Sequence, residues 1–108
     1  MFKTRNTTEL MPLPECDFMN FVALSAEAAR YLVEKETKLA GIDYVAIAGP
    51  ALETIVEGHS ILFNGDCVIM ELLDLSQVSE GNYEMIALPI RVVDGDASWC
   101  RVLLRPVG

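Results

Sequence analysis

The stretch PALETIVEGHSILFNGDCVIMELLDL, Pro50 to Leu75, decides how the chain is read. Leu52, Ile55, Val56, His59, Leu62 and Phe63 recur at spacings of three and four, which predicts a helix with one apolar face. His59, the only histidine in the chain, lies on that face. Asn64-Gly65 ends the helix, since both residue types tolerate the left-handed conformation of a helix terminus. The run Cys67-Val68-Ile69-Met70-Glu71-Leu72-Leu73 then has the length of a strand buried on both faces. It holds a lone carboxylate, Glu71. A carboxylate in such a run must be paired, protonated or bound to a cation, because burying a bare charge is costly. Plainer roles fit the same residues. A single histidine is often a core residue satisfied by one hydrogen bond, and Glu71 also suits an edge strand, facing water or pairing with Arg91 or Arg101.

Outward from that stretch, the chain alternates elements. Met1 to Thr8 opens as a short strand, and Glu9 to Asp17, with two prolines, reads as a surface loop. Ser25 caps a helix that has Glu27 in its first turn, Ala28, Ala29, Leu32 and Val33 as its buried stripe, and Lys35 and Lys38 toward its end. Ile42 to Ala48 is a strand by its aromatic and β-branched content, with Asp43 as a strand-end residue rather than a catalytic one. Gly49-Pro50 starts the second helix. After the Glu71 strand, Asp74 to Asn82 is a turn-rich link. Tyr83 to Val93 is a strand that Pro89 confines to an edge or a bulge. Asp94-Gly95 is a hairpin signal, and Ser98 to Arg105 is the returning strand. The expectation is an α/β fold, a mixed sheet with two main helices, forming one domain over residues 1–108.

Composition narrows the function classes. The chain carries a net charge of −8 and an isoelectric point near 4.4, so phosphate backbones and anionic membranes are disfavoured partners. No apolar run approaches the roughly 20 residues needed to span a bilayer, and MFKTRNTTEL lacks the apolar middle of a signal peptide. A cytoplasmic protein is expected. Cys16, Cys67 and Cys100 form no C-x-x-C pair and read as reduced, packed thiols. With 52% hydrophobic residues, part of the apolar surface is expected to meet another chain, most simply in a homodimer. Trp99, beside the hairpin turn, reads as an interface anchor or a lid on the sheet. There is no glycine-rich phosphate loop and no G-x-S-x-G elbow.

Several segments, in order, resemble the C-terminal half of the cyclase family, the kynurenine formamidase-like metal-dependent hydrolases. FKTRNTT resembles a strand ending in T-R-N or T-G-N, and FVALSAEAARYLVEKETKLAGIDYVAI resembles the segment that follows. His59, Leu62 and Glu71 fall at the spacing of an H-x-x-L-L…E element, and DLSQVSEGNYEMIALPIRVVDGDASWCRVLL resembles the closing segment. The resemblance implies that His59 is a metal ligand or proton shuttle and that Glu71 is an acidic metal ligand. It also implies a divalent cation, zinc or manganese, that makes a water nucleophilic. The family's main metal motif, H-x-G-T-H-x-D with a further P-x-H, has no counterpart in these residues. Trp99 stands where the family favours proline, and Ala48-Gly49 replaces an acidic or serine-containing strand end. The expectation is therefore an incomplete hydrolase site, inactive and metal-free in the chain alone, in a protein that self-assembles. The alternatives are a split amide or lactone hydrolase completed by a partner chain bearing the missing histidine motif, or a small-molecule binder that reuses the cleft.

Overall fold

Ser25 caps the first long helix as its sequence suggests: its Oγ accepts from the Ala28 N–H at 3.1 Å. In the computed structural model, which describes residues 1–108, the helices are α1 (Asn6–Glu9), α2 (Ala26–Glu34) and α3 (Leu52–Asn64). The strands are β1 (Leu39–Gly41), β2 (Val68–Met70), β3 (Tyr83–Pro89) and β4 (Cys100–Pro106). The chain is thus α/β, but parallel and antiparallel pairing fall in separate two-stranded sheets, β1–β2 and β3–β4. None of its helices is long and apolar enough to cross a membrane.

Both long helices end in the same way. After α2, Glu36 takes a left-handed φ of 54°, and the N–H groups of Glu36 and Thr37 return to the carbonyls of Val33 and Leu32. After α3, Asp66 takes φ 54°, and Asp66 and Cys67 donate to Phe63 and Leu62. These are Schellman closures with an acidic residue where glycine is usual. The left-handed residue is therefore Asp66, while Gly65 keeps φ −89°. Glycine at position 65 answers a different need: a Cβ there would sit 2.4 Å from Cγ2 of Val33, on α2.

The chain divides into two compact units, Met1–Gln77 and Val78–Gly108. The first holds the core. Ala29 of α2, Ala40 of β1, Leu62 of α3, Cys67 and the segment residues Ile42, Ile47 and Ala48 form one buried cluster. Leu10, Phe21, Tyr44 and Ala46 form another. β1 and β2 pair in parallel, Leu39 with Val68 and Gly41 with Met70. The N-terminal residues make a single bridge, Phe2 to Ile42, followed by the short helix α1 instead of the expected strand.

The expected strand Ile42–Ala48 is likewise reduced to bridges at its two ends, with Asp43 fully buried inside it. Asp43 accepts four hydrogen bonds, from the backbone N–H and hydroxyl of Thr4 and of Thr7. Burial is the largest single influence on its carboxyl and works against the charge. The Thr7 hydroxyl and the Thr4 donors together outweigh it and hold the carboxyl below its ordinary range. Asn6 is equally buried. Its side chain bonds the backbone of Val22 in both directions, at 2.8 and 2.9 Å. The T-R-N-T-T stretch is therefore a structural clasp.

The second unit is a hairpin, β3 against β4, running from Tyr83 opposite Pro106 to Pro89 opposite Cys100. Pro89 ends its strand, and Asp94 at the turn takes φ 56°. No residue of this unit is fully buried.

Candidate functional site

Helix α3 places His59 one turn beyond Ile55, whose carbonyl lies 2.8 Å from the ring Nδ1. A carbonyl only accepts, so Nδ1 carries a proton. The opposite nitrogen, Nε2, lies 3.1 Å from Oε1 of Glu71. Each ring nitrogen thus faces an oxygen within hydrogen-bond distance. Both side chains are partly exposed, 24% for His59 and 30% for Glu71.

Glu71 is the first residue beyond β2, not a residue within a strand buried on both faces. Val68, at the other end of β2, is 55% exposed, because β2 is the edge of a two-stranded sheet. The same Oε1 accepts from the backbone N–H of Ile47 at 2.8 Å. Ile47 is wholly buried, so Glu71 satisfies a donor that has no access to water. The pair therefore sits where the chain leaves the C-terminal ends of parallel strands, the usual place for sites in open α/β sheets.

The helix face differs from the one expected. Gly58 and Leu62 are buried, whereas Leu52 (71% exposed), Val56 and Phe63 face outward. The exposed three lie on the stripe that contains His59, and the Phe63 ring centroid is 6.0 Å from that of His59. What brings α3 close enough is Gly58: a Cβ there would lie 2.3 Å from the Cβ of Ala48. Glycine inside a helical pattern costs about 1 kcal/mol, and that cost was the available sign that Gly58 serves close packing. The Ile47 N–H and the Ile55 carbonyl left no sign, since backbone partners carry no residue code. The three thiols are free.

The residues present do not by themselves fit a catalytic zinc or manganese ion. Such a site takes three protein ligands and an open position. No group of three or more His, Cys, Asp or Glu side chains gathers anywhere in the chain. Both nitrogens of the single imidazole are engaged, one by a carbonyl and one by Glu71.

Two solved structures share the fold. One described as a potential metal-dependent hydrolase with cyclase activity superposes with a TM-score of 0.82 at 36% identity, over 95% of this chain and 48% of its own. A predicted metal-dependent hydrolase from Bacillus stearothermophilus gives 0.81, also at 36% identity, over 95% and 47%. Fold and sequence together relate the chain to cyclase-like metal-dependent hydrolases.

Among curated proteins the relatives are kynurenine formamidases. That of Erythrobacter litoralis is 36% identical over 86 residues, 80% of this chain and 39% of the relative. That of Bordetella petrii is 35% identical over 89 residues, 82% and 42%. That of Bacillus cereus strain ATCC 10987 is 37% identical over 84 residues, 78% and 40%. The chain spans about two-fifths of the length of these relatives and about half of the solved structures. No family model matches it.

Proposed function

We propose that these residues carry the proton-handling part of a cyclase-like amide or lactone hydrolase site, and that the chain alone does not turn over substrate. The observation that carries this reading is the contact of His59 Nε2 with Glu71 Oε1 at 3.1 Å. It lies beside the exposed Leu52, Val56 and Phe63, in a chain related to kynurenine formamidases over only part of their length. The Ile55 carbonyl holds Nδ1, so Nε2 is the nitrogen that exchanges a proton, and Glu71 orients it. A positioned imidazole of this kind delivers a proton to a departing amine or alkoxide. The metal cage comes from residues outside 1–108 that bear the histidine motif, and zinc or manganese belongs to the completed site.

The test assays the purified chain on an aryl formamide and on a lactone, alone and mixed with a segment bearing H-x-G-T-H-x-D, with elemental analysis of each sample. The expected result is no stoichiometric metal and no turnover alone, then metal uptake and hydrolysis in the mixture that His59→Ala abolishes. Hydrolysis by the chain alone, lost in His59→Ala, would overturn the reading, as would a mixture that takes up metal and stays inactive.

A further inference from the structure

The sequence holds one Asn-Gly step, Asn64-Gly65, and one Asp-Gly step, Asp94-Gly95. Such pairs carry a chemistry of their own. Glycine has no Cβ to shield its backbone nitrogen, and that nitrogen can attack the side-chain Cγ of the residue before it. A C–N bond forms, the nitrogen gives up its proton, and the side chain's hydroxyl or amide group leaves as water or ammonia. The five-membered imide then takes up water at either carbonyl. Opening at the backbone carbonyl leaves the chain running through Cβ, as isoaspartate. For an aspartate the water lost equals the water gained, so the chain needs no other reactant. In an unstructured chain the asparagine step is the faster one, because a carboxylate is a poor electrophile.

The fold treats the two steps in opposite ways. Asn64 is the last residue of α3, and the Gly65 N–H donates to the carbonyls of Ile61 and Leu62, both at 3.1 Å. A Cβ on Gly65 would sit 2.4 Å from Cγ2 of Val33, so this glycine is packed on α2. Attack on Asn64 therefore requires breaking both hydrogen bonds and lifting the helix end off its neighbour. The Asp-Gly step is open by comparison. Every residue from 91 to 99 is exposed. The Gly95 N–H donates to the Val92 carbonyl at 3.4 Å, a long and weak bond. Asp94 is the third residue of that turn, with φ 56°, at the position where a type II turn usually takes glycine.

We propose that Asp94-Gly95 is a modification site, at which isoaspartate forms in the folded protein, and that the fold reverses the intrinsic order of the two steps by protecting Asn64. The modified turn gains one backbone methylene between Val93 and Gly95. Its negative charge moves to the α-carboxyl, which becomes an acceptor for carboxyl methyl transfer. The site is independent of the hydrolytic reading, since it involves neither His59 nor Glu71.

The experiment ages the full chain for weeks at neutral pH and physiological temperature, folded in buffer and unfolded in urea. Isoaspartate is read with a protein-isoaspartate methyltransferase and a labelled sulfonium methyl donor. Cleavage at Arg91 and Arg101 isolates residues 92–101, and fragmentation of each peptide assigns the label to a residue. In the folded chain the label should appear first at Asp94. Asn64 should convert there about tenfold or more slowly than in urea, as expected when the helix end is open a tenth of the time or less, while Asp94 changes within about threefold. In urea, Asn64 should lead. Asp94→Glu, whose longer side chain would have to close a six-membered ring, should remove the label from residues 92–101. Folded chain that converts Asn64 first, or that gains no label at Asp94, would overturn the proposal. Label retained in Asp94→Glu would assign it to Asp96 and overturn it as well. The fragmentation of the wild-type peptide separates Asp94 from Asp96 even if that variant fails to fold.

Discussion

Gly58→Ala isolates the close approach that sets the candidate site. By helix propensity alone the change should stabilise α3 by about 1 kcal/mol. The structure says otherwise, because the added Cβ would lie 2.3 Å from the Cβ of Ala48. Neither atom belongs to a side chain that can rotate away, and Ala48 is fully buried. Restoring ordinary carbon contact requires the helix and the Ala48 segment to separate by about 1–1.5 Å. Overpacking of this kind costs typically ~1–3 kcal/mol, and with two rigid groups in contact the upper part of that range applies. The net loss after the propensity gain is then about 1–2 kcal/mol, and each kcal/mol lowers Tm by roughly 4–8 °C in a domain near this size.

The same displacement acts on function, because His59 is the next residue. A shift of 1 Å or so carries Nε2 from 3.1 Å beyond hydrogen-bond reach of Glu71, roughly 3.5 Å. Two assays read this out: thermal unfolding by circular dichroism, and the single histidine Hε1 resonance in D₂O at fixed pH. The double variant Gly58→Ala/Ala48→Gly moves the methyl group from one side of the contact to the other. It should recover most of the lost stability, giving a coupling of at least ~1 kcal/mol. If Gly58→Ala proves as stable as the parent or more so, with the His59 resonance unmoved, the close-packing argument fails.

Two further variants probe the carboxylates. Asp43→Asn should destabilise by about 2–4 kcal/mol, because an amide cannot accept from all the donors of Thr4 and Thr7 that face the carboxylate. The folded Asp43 carboxyl is held below its ordinary value, about 3.9 for an unperturbed aspartate, so its stabilisation is complete above that value and fades as pH falls further, through the folded pKa. Urea unfolding of parent and variant should therefore converge below about pH 4, and an equal gap at pH 3 and pH 7 would contradict the assignment. Glu71→Ala strands the buried Ile47 N–H and should cost about 1–3 kcal/mol, whereas Glu71→Gln retains an acceptor there and should cost less; equal losses in urea titrations would show that Ile47 does not depend on position 71.

Local signals in the sequence were legible where one element satisfies itself. Ser25 announces α2, the three-and-four spacing announces α3, and Asp94-Gly95 marks the hairpin turn. The strands were overextended because β-branched content reports a pleated, half-buried environment rather than a ladder. Between Ile42 and Ala48 the backbone groups find other partners: Ile47 donates to the Glu71 side chain, and Tyr44 accepts from the Leu72 N–H. The buried face of α3 was misread for a related reason. Spacing shows that Leu52, Val56 and Phe63 adjoin Ile55 and Leu62, but cannot say which of two neighbouring stripes meets the core. Gly58 decides it, and Gly58 is not hydrophobic.

The orientation of the His59–Glu71 pair is set by backbone groups, and this limits how any completing residues can approach. The Ile55 carbonyl occupies Nδ1 from within the helix, and the Ile47 N–H anchors Oε1 from the core side. Neither restraint depends on a side chain outside the pair, so the geometry survives surface substitution and is present before any ligand arrives. Nδ1 faces its own helix and Oε1 is tied to buried backbone, so the proposed proton exchange falls on Nε2 and its contact with Glu71. The exposed stripe of Leu52, Val56 and Phe63 borders that contact and supplies apolar surface on which a water-excluding wall can form. On the proposed function, a histidine-bearing segment that closed the site would reach Nε2 over this stripe, and by excluding water there it would strengthen the pair's electrostatics, as closure does in other active sites.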